Sequence, residues 1–292
     1  MHDQASNSTS TSTAPIRNIS DTARWTALHR ARETERPDAL FHDPFARALA
    51  GERGERIARD MGKGDRQEWP WAMRTLLFDQ VIAQQVQAGA DMVINLAAGF
   101  DARPYRMDLP ASLQWIDVDL PELLQEKARE LGSAQPRCRL ERVPLDLADV
   151  DARRAMLAHL AQRCRRALIV SEGLMIYLSE DDVETLGRDL SAHPTMRHWA
   201  LDMVSPGLLA MLQRKMGSRV AAAGAPFKFG PPEGPLFFER CGWKPVSVRS
   251  LFKEAARHKR LPWILRVLSK LPESDGRQGR KPWGAVCLFE RA

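Results

Sequence analysis

The chain has 292 residues, of which 44% are apolar and 27% charged, with a net charge of +6. These are the proportions of a soluble globular protein with a proper core. No stretch approaches the roughly 18 uninterrupted apolar residues that span a bilayer. Cys138, Cys164, Cys241 and Cys287 form no CxxC pair, which argues against a zinc site or a disulfide framework and for a reducing, cytoplasmic setting.

Residues 1–18 are rich in Ser and Thr with no apolar core, so a disordered tail rather than a signal peptide is expected. Asp21 to Leu49 has helical periodicity with Asp21 as its cap. A turn through Pro44 and a short helix stopped by Gly51 follow. Glu52 to Trp69 reads as loop or short helix, and Trp71 to Val86 as a long helix carrying Arg74 and Asp79.

Strands and helices then alternate. Strands are expected at Met92–Leu96, Leu113–Val118, Arg139–Val143, Ala167–Glu172 and His198–Val204, with helices at 121–132, 151–164 and 179–192 between them. Such alternation predicts a parallel, doubly wound sheet. After Ser205 the pattern breaks into a helix at 208–216, a Gly/Pro loop, and a helix and turn at 236–243. Two strands, 245–250 and 285–291, then flank one basic helix at 251–270. The whole is an α/β fold with a seven-stranded, mostly parallel Rossmann-like sheet in which one strand is antiparallel. Residues 19–292 read as a single domain: a helical cap at 19–88, a cofactor-binding core at 89–205, a substrate-side insertion at 206–245, and the terminal strands and basic helix at 246–292.

The charge is uneven. Arg249 to Ala292 holds eleven Lys or Arg against four acids, a surplus that accounts for the whole excess. Either a solvated basic helix or a docking patch for an acidic partner fits that surplus. A nucleic-acid binder would spread its cations along a face with interleaved aromatics, so nucleic acid is not an expected partner. No membrane partner is expected either.

The turn after the first strand, Ala97-Ala98-Gly99-Phe100-Asp101-Ala102, lacks both the GxGxxG of dinucleotide folds and a P-loop. S-adenosylmethionine has no phosphate to cradle and demands fewer glycines. Asp119 stands 20 positions after Gly99, where an acid can hold a ribose. Asp146 follows strand three, where it can accept from an adenine amino group, with Leu147 beside it. Glu172 ends strand four. Arg74 is suited to clamping a methionine carboxylate. Each strand-end acid could instead cap a helix.

The stretches "TARWTALHRARETERPDALFHDPFARALAG", "MRTLLFD", "NLAAGFDARPYRM", "WIDVDLPELLQEKARELG", "PLDLAD" and "SEGLMIYLSEDDVETL" together resemble the leucine carboxyl methyltransferase-like O-methyltransferases. The resemblance is close over roughly Asp21 to Glu184 and loose beyond. It implies the class I methyltransferase fold and S-adenosylmethionine as cofactor. It also implies a cofactor site made of Arg74, Ala97, Gly99, Asp101, Asp119, Leu120, Asp146, Leu147 and Glu172, with no metal. Ala97 departs from the family, which usually has Gly there, and adds a methyl against the cofactor.

An O-methyltransferase acting on a carboxylate is the leading expectation. A carboxylic acid ionises with a pKa near 4 and needs no general base, whereas a phenol or alcohol does. No base is evident among the seven histidines. No catalytic residue is assigned; the candidates are Tyr177, which could touch either cofactor or acceptor, and His29 and His42 of the cap. The acceptor is expected to be a small molecule bearing a carboxylate or hydroxyl, of the kind found in secondary metabolism, with an acyl carrier protein as a further partner. Met211, Met216, Phe227, Phe229, Phe237 and Phe238 supply apolar surface either for that acceptor or for packing the cap on the sheet. The alternatives are a hydroxyl or phenol O-methyltransferase, a nicotinamide-dependent oxidoreductase on the same sheet, and a non-catalytic protein that binds the methyl donor.

Overall fold

Met92–Leu96 (β1) and Ala167–Ser171 (β4) are buried at every position, as parallel strands covered by helices on both faces must be. They lie side by side at the centre of a seven-stranded sheet whose order is β3-β2-β1-β4-β5-β7-β6. The computed structural model describes residues 19–61, 68–221, 225–272 and 281–292. The tail expected at 1–18 lies outside the described residues. Gln114–Asp119 (β2) and Arg139–Pro144 (β3) extend the sheet on one side, and Met196–Val204 (β5) on the other, all in parallel. Gly284–Arg291 (β7) runs antiparallel to both β5 and Trp243–Ser250 (β6), so it is the single reversed strand. β6 forms an edge, and its register slips between Pro245 and Ser247, where proline cannot donate to a ladder.

Among the described residues before the sheet come three helices, Ile19–Thr34 (α1), Ala46–Met61 (α2) and Trp69–Gln87 (α3). The periodic run from Asp21 is therefore two helices, parted by a turn at 35–45. Asp21 lies in the first turn of α1 and pairs with Arg53 at 2.5 Å rather than merely capping. Gly51 does break the second helix, at φ 57 and ψ −174, but a further helical stretch resumes and reaches Met61, where loop or short helix was expected. Within the sheet region Arg103–Arg106 forms a short helix (α4) that periodicity does not reveal. Pro121–Leu131 (α5) starts with proline in its first turn, Val150–Ala161 (α6) is capped by Asp149, and Glu180–Ser191 (α7) by a Ser179–Asp182 capping box.

After β5, Pro206–Ala221 (α8) leads to the loop at 225–233 and a 3-10 turn at Gly234–Cys241. The basic stretch expected as one helix is two. Leu251–Arg257 (α9) ends before Lys259, whose φ is +58, and Trp263–Leu268 (α10) starts after Pro262. A proline in the interior removes a donor and clashes with the preceding turn, so one continuous helix was untenable. One core lies between the sheet and α6, α7 and the 3-10 turn, and a second between the opposite face and α3. A third joins α1, α2 and the loop after β1.

Candidate active site

The chain leaves β1 for β2 in one direction and returns to β4 on the other side. This switch point is where open α/β sheets bind ligands, beyond the carboxyl ends of their strands. A cavity of about 1130 Å³ opens there, walled by the ends of β1, β2, β4 and β5 and facing α1, α3, α8 and the 225–228 loop.

The turn after β1 is tightly held. Ala97 and Gly99 both take left-handed backbone, φ +54 and +47. For alanine this costs about 1–2 kcal/mol, a physical reason for a glycine there beyond any contact of the methyl. The Gly99 N–H donates to Asp119 Oδ2 at 2.7 Å, and the Leu120 N–H to Asp119 Oδ1 at 2.8 Å. Asp119 therefore braces the turn from the end of β2 rather than capping α5. Burial raises its carboxyl above the usual range.

Behind this turn lies a linked network of charge. Arg103 pairs with Asp79 at 2.6 Å, Asp101 at 2.7 Å and Glu172 at 2.8 Å, and its side chain is 3% exposed. Arg106 joins Asp79 at 2.7 Å and Asp43 at 3.7 Å, and Asp43 receives Arg30 at 2.9 Å. Arg74 reaches Glu172 at 3.0 Å and Asp202 at 3.4 Å. Four guanidiniums thus face five carboxylates, a surplus of one acid. Burial pushes Asp101 upward, but Arg103 and then Lys127 outweigh it and hold the carboxyl well below its ordinary range. Glu172 is lowered by the same contest, with Arg103 and Arg74 prevailing over burial. At Asp202 burial prevails, and the carboxyl is raised although it also accepts the Gly173 N–H at 2.6 Å.

Of the residues expected at the cofactor, Arg74, Ala97, Gly99, Asp101, Asp119, Leu120, Asp146, Leu147 and Glu172 all line this one cavity. Asp146 is exposed and turns the chain by accepting the Ala148 N–H at 2.9 Å, while Asp149 takes over capping of α6. Leu147 is fixed by Arg153, which donates to its carbonyl at 2.5 Å and pairs with Asp189 at 2.5 Å.

Tyr177 lines the cavity beside Phe227, at 5.6 Å between ring centroids, and burial raises its phenol. His29 and His42 are not among the lining residues. His29 is buried, with its ring stacked on Trp71 at 4.2 Å, and burial with Arg32 and Arg74 nearby lowers its pKa to about 3. His42 is exposed on the turn before α2. Sequence reasoning gave no role to Arg103, Arg106, Asp202, Arg30 or Asp43. Arg103 and Asp79 nevertheless stand in the motifs "GFDARPYRM" and "MRTLLFD", whose charged positions were the available signal.

Met211, Met216 and Phe227 of the insertion face the cavity, whereas Phe229, Phe237 and Phe238 belong to the sheet core. The loop carrying Phe227 is tied down where the Lys228 N–H donates to the Ile176 carbonyl at 2.7 Å and Gln213 to the Phe227 carbonyl at 2.9 Å. Among the described residues no helix is long and apolar enough to cross a membrane, and no group of three or more His, Cys, Asp or Glu is placed to hold a metal.

This sheet, with its one reversed strand and its acid at the end of β2, defines a class I S-adenosylmethionine-dependent methyltransferase fold. A solved DUF574 family structure from Streptomyces avermitilis aligns over 93% of this chain and 97% of its own, with a TM-score of 0.58 at 14% identity. A structure from Thermobifida fusca, provisionally named a methyltransferase, aligns over 95% and 96% with a TM-score of 0.56 at 17% identity. The family model for leucine carboxyl methyltransferase matches residues 23–190, and the chain belongs to that family. A Frankia alni protein, provisionally named an S-adenosyl-L-methionine-dependent methyltransferase, is 30% identical over 81% of this chain and 88% of its own. A Mycobacteroides abscessus protein of the same provisional name is 32% identical over 59% of this chain. The chain spans about three fifths of the first two relatives it matches, 61% and 59%.

Proposed function

We propose that the protein is an S-adenosylmethionine-dependent O-methyltransferase that esterifies the carboxylate of an apolar small molecule. The donor set fits the methyl donor. The surplus acid of the buried network complements a ligand whose sulfonium and ammonium exceed its one carboxylate in charge. Arg74, on α3 outside the sheet, would hold the methionine carboxylate, and Asp119 the ribose. Asp146 and Leu147 would border the adenine. When bound, the cofactor supplies an electrophilic methyl group on a cationic sulfur.

The protein's own part is to align the acceptor, exclude water and leave the nucleophile ionised. One observation carries the choice of a carboxylate. Among the described residues lining the cavity there is no histidine, and Arg30, Arg74, Arg103 and Arg153 are all paired, whereas Lys215, Lys228 and Lys281 have no ion pair. A site with unpaired cations and no histidine favours an acceptor that arrives already deprotonated. Tyr177, kept protonated by its raised pKa, is suited to donating a hydrogen bond to that carboxylate.

The test is methyl transfer from labelled donor to a panel of apolar carboxylic acids and matched phenols. Carboxyl esters release methanol in alkali and ethers do not. Alkali-labile label on the acids alone is the expected outcome, and label that survives alkali would point to hydroxyl methylation instead.

A further inference from the structure

Surface helices ordinarily bury their apolar face, and α10 does the reverse. Leu265 packs inward beside Leu261, while Trp263, Ile264, Val267, Leu268 and Leu271 stand 69%, 54%, 57%, 48% and 59% exposed. Their spacing places the four within α10 on one helical face, and Leu271 follows just past its end. An exposed apolar stripe of this kind marks a place of contact.

Two observations say what covers it. First, the surroundings are cationic: from Lys253 to Lys270 there are six Lys or Arg against Glu254 alone, and although Arg260 is taken up by Glu33 and Asp38, Glu254 is itself engaged by Arg249 at 3.0 Å. Arg257, Lys259 and Lys270 are exposed. Second, the stripe runs into the cavity, because Leu268 and Leu271 are also lining residues, alongside Lys281. A tryptophan and aliphatics on one side, flanked by lysines, is the make-up of a helix that lies in a membrane interface.

We propose that α10 seats the protein on an anionic lipid surface, with the cavity mouth opening at the lipid boundary. That no helix among the described residues is long and apolar enough to cross a membrane is no obstacle, since a peripheral contact needs none. This contact is independent of which group the enzyme methylates.

The experiment is co-sedimentation of the full chain with vesicles of equimolar phosphatidylcholine and phosphatidylglycerol, and with phosphatidylcholine alone. Binding to the anionic vesicles is expected to exceed binding to the neutral ones. It should weaken severalfold as salt rises from about 0.1 to about 0.5 M. The triple variant Trp263→Ser, Ile264→Ser, Val267→Ser should partition at least about tenfold less. Its S-adenosylmethionine affinity by calorimetry should be unchanged, because none of the three lines the cavity. If that variant does not fold, Lys259→Glu with Lys270→Glu should lose most of the anionic binding. Wild-type protein that stays in solution with anionic vesicles overturns the proposal. So does a triple variant that binds them like wild type. A wild type that ignores vesicles but forms a dimer broken by the triple variant assigns the face to a second copy. Capture of an acidic carrier protein in place of vesicles assigns it to that class of partner.

Discussion

At the strand-end wall of the cavity each arginine meets a carboxylate, and most of these groups are withdrawn from water. On the facing wall, α8, the 225–228 loop and α10 offer methionines, leucines and a phenylalanine, with lysines that have no ion pair among the described residues. The first wall is held in place by its own interactions, so that losing one member strands several others. The second is held mainly by backbone ties, and its side chains are free to suit an acceptor. Fixed geometry is what a cofactor common to a whole family requires, and replaceable surface is what a variable acceptor requires.

The comparison breaks most sharply at Arg103. Removing a buried guanidinium that serves three carboxylates leaves uncompensated charge, a loss of about 3–5 kcal/mol. Arg103→Met should show it as a lower urea midpoint and loss of donor binding. Arg103→Lys, which keeps the charge but not the planar fork, should fall between. If Arg103→Met unfolds like wild type, the network is not what fixes this wall.

His29 tests the seam between the walls, because it stacks on Trp71, which lines the cavity, and is itself walled off. Its folded pKa of about 3 lies below the ordinary 6.5. The neutral ring therefore supports the fold fully above pH 6.5, and that support is lost as pH falls toward 3. From pH 6.5 to 4.5 the loss should be about 2–3 kcal/mol. Asp101 and Glu172, also lowered, lose theirs only below about pH 4, so the two windows separate. Denaturant titrations across this range should find the slope mostly gone in His29→Phe, with a remainder from His198, which burial lowers too, opposed by Asp119 and Asp202, which burial raises.

How far the sequence reached follows the same division. β1 reads with its observed bounds because a five-residue run, apolar but for Asn95, between turn signals has one good home, the middle of a parallel sheet. Asp119, Asp146 and Glu172 are legible as a set because strand ends converge, and Arg74, on α3, through its motif "MRTLLFD". The partners of Arg103 were not, since nothing in local periodicity says that α3 and α4 bring Asp79 within 2.6 Å of it. The roles of the six insertion side chains were equally hidden. Apolar spacing cannot distinguish Phe237, wholly buried in the sheet core, from Phe227, which faces the cavity. Periodicity across 251–270 hides the outward turn of α10, because a break at Pro262 resets which face points in.

Asp119 separates bracing from binding. Asp119→Ala leaves the Gly99 and Leu120 N–H groups without their acceptor, at about 1.5–3 kcal/mol. Calorimetry should show S-adenosylmethionine affinity falling about ten- to hundredfold, with Asp119→Asn, which retains one acceptor oxygen, losing less. A variant that binds like wild type while its thermal midpoint drops would make Asp119 a brace alone.

The smallest effect has the opposite sign. Ala97 holds φ +54, a conformation that costs an L-residue about 1–2 kcal/mol and glycine almost nothing. Glycine also makes the unfolded chain more flexible, which returns roughly 0.4–1 kcal/mol of that gain. Ala97→Gly should therefore raise stability by about 0.5–1 kcal/mol, a small rise in the urea midpoint. Cofactor affinity should rise with it if the strained turn is also being tightened against the ligand. An affinity that stays constant while stability rises would place the cost of Ala97 wholly in the backbone. The alanine would then be a conformational cost carried by this turn, with no bearing on what the cavity holds.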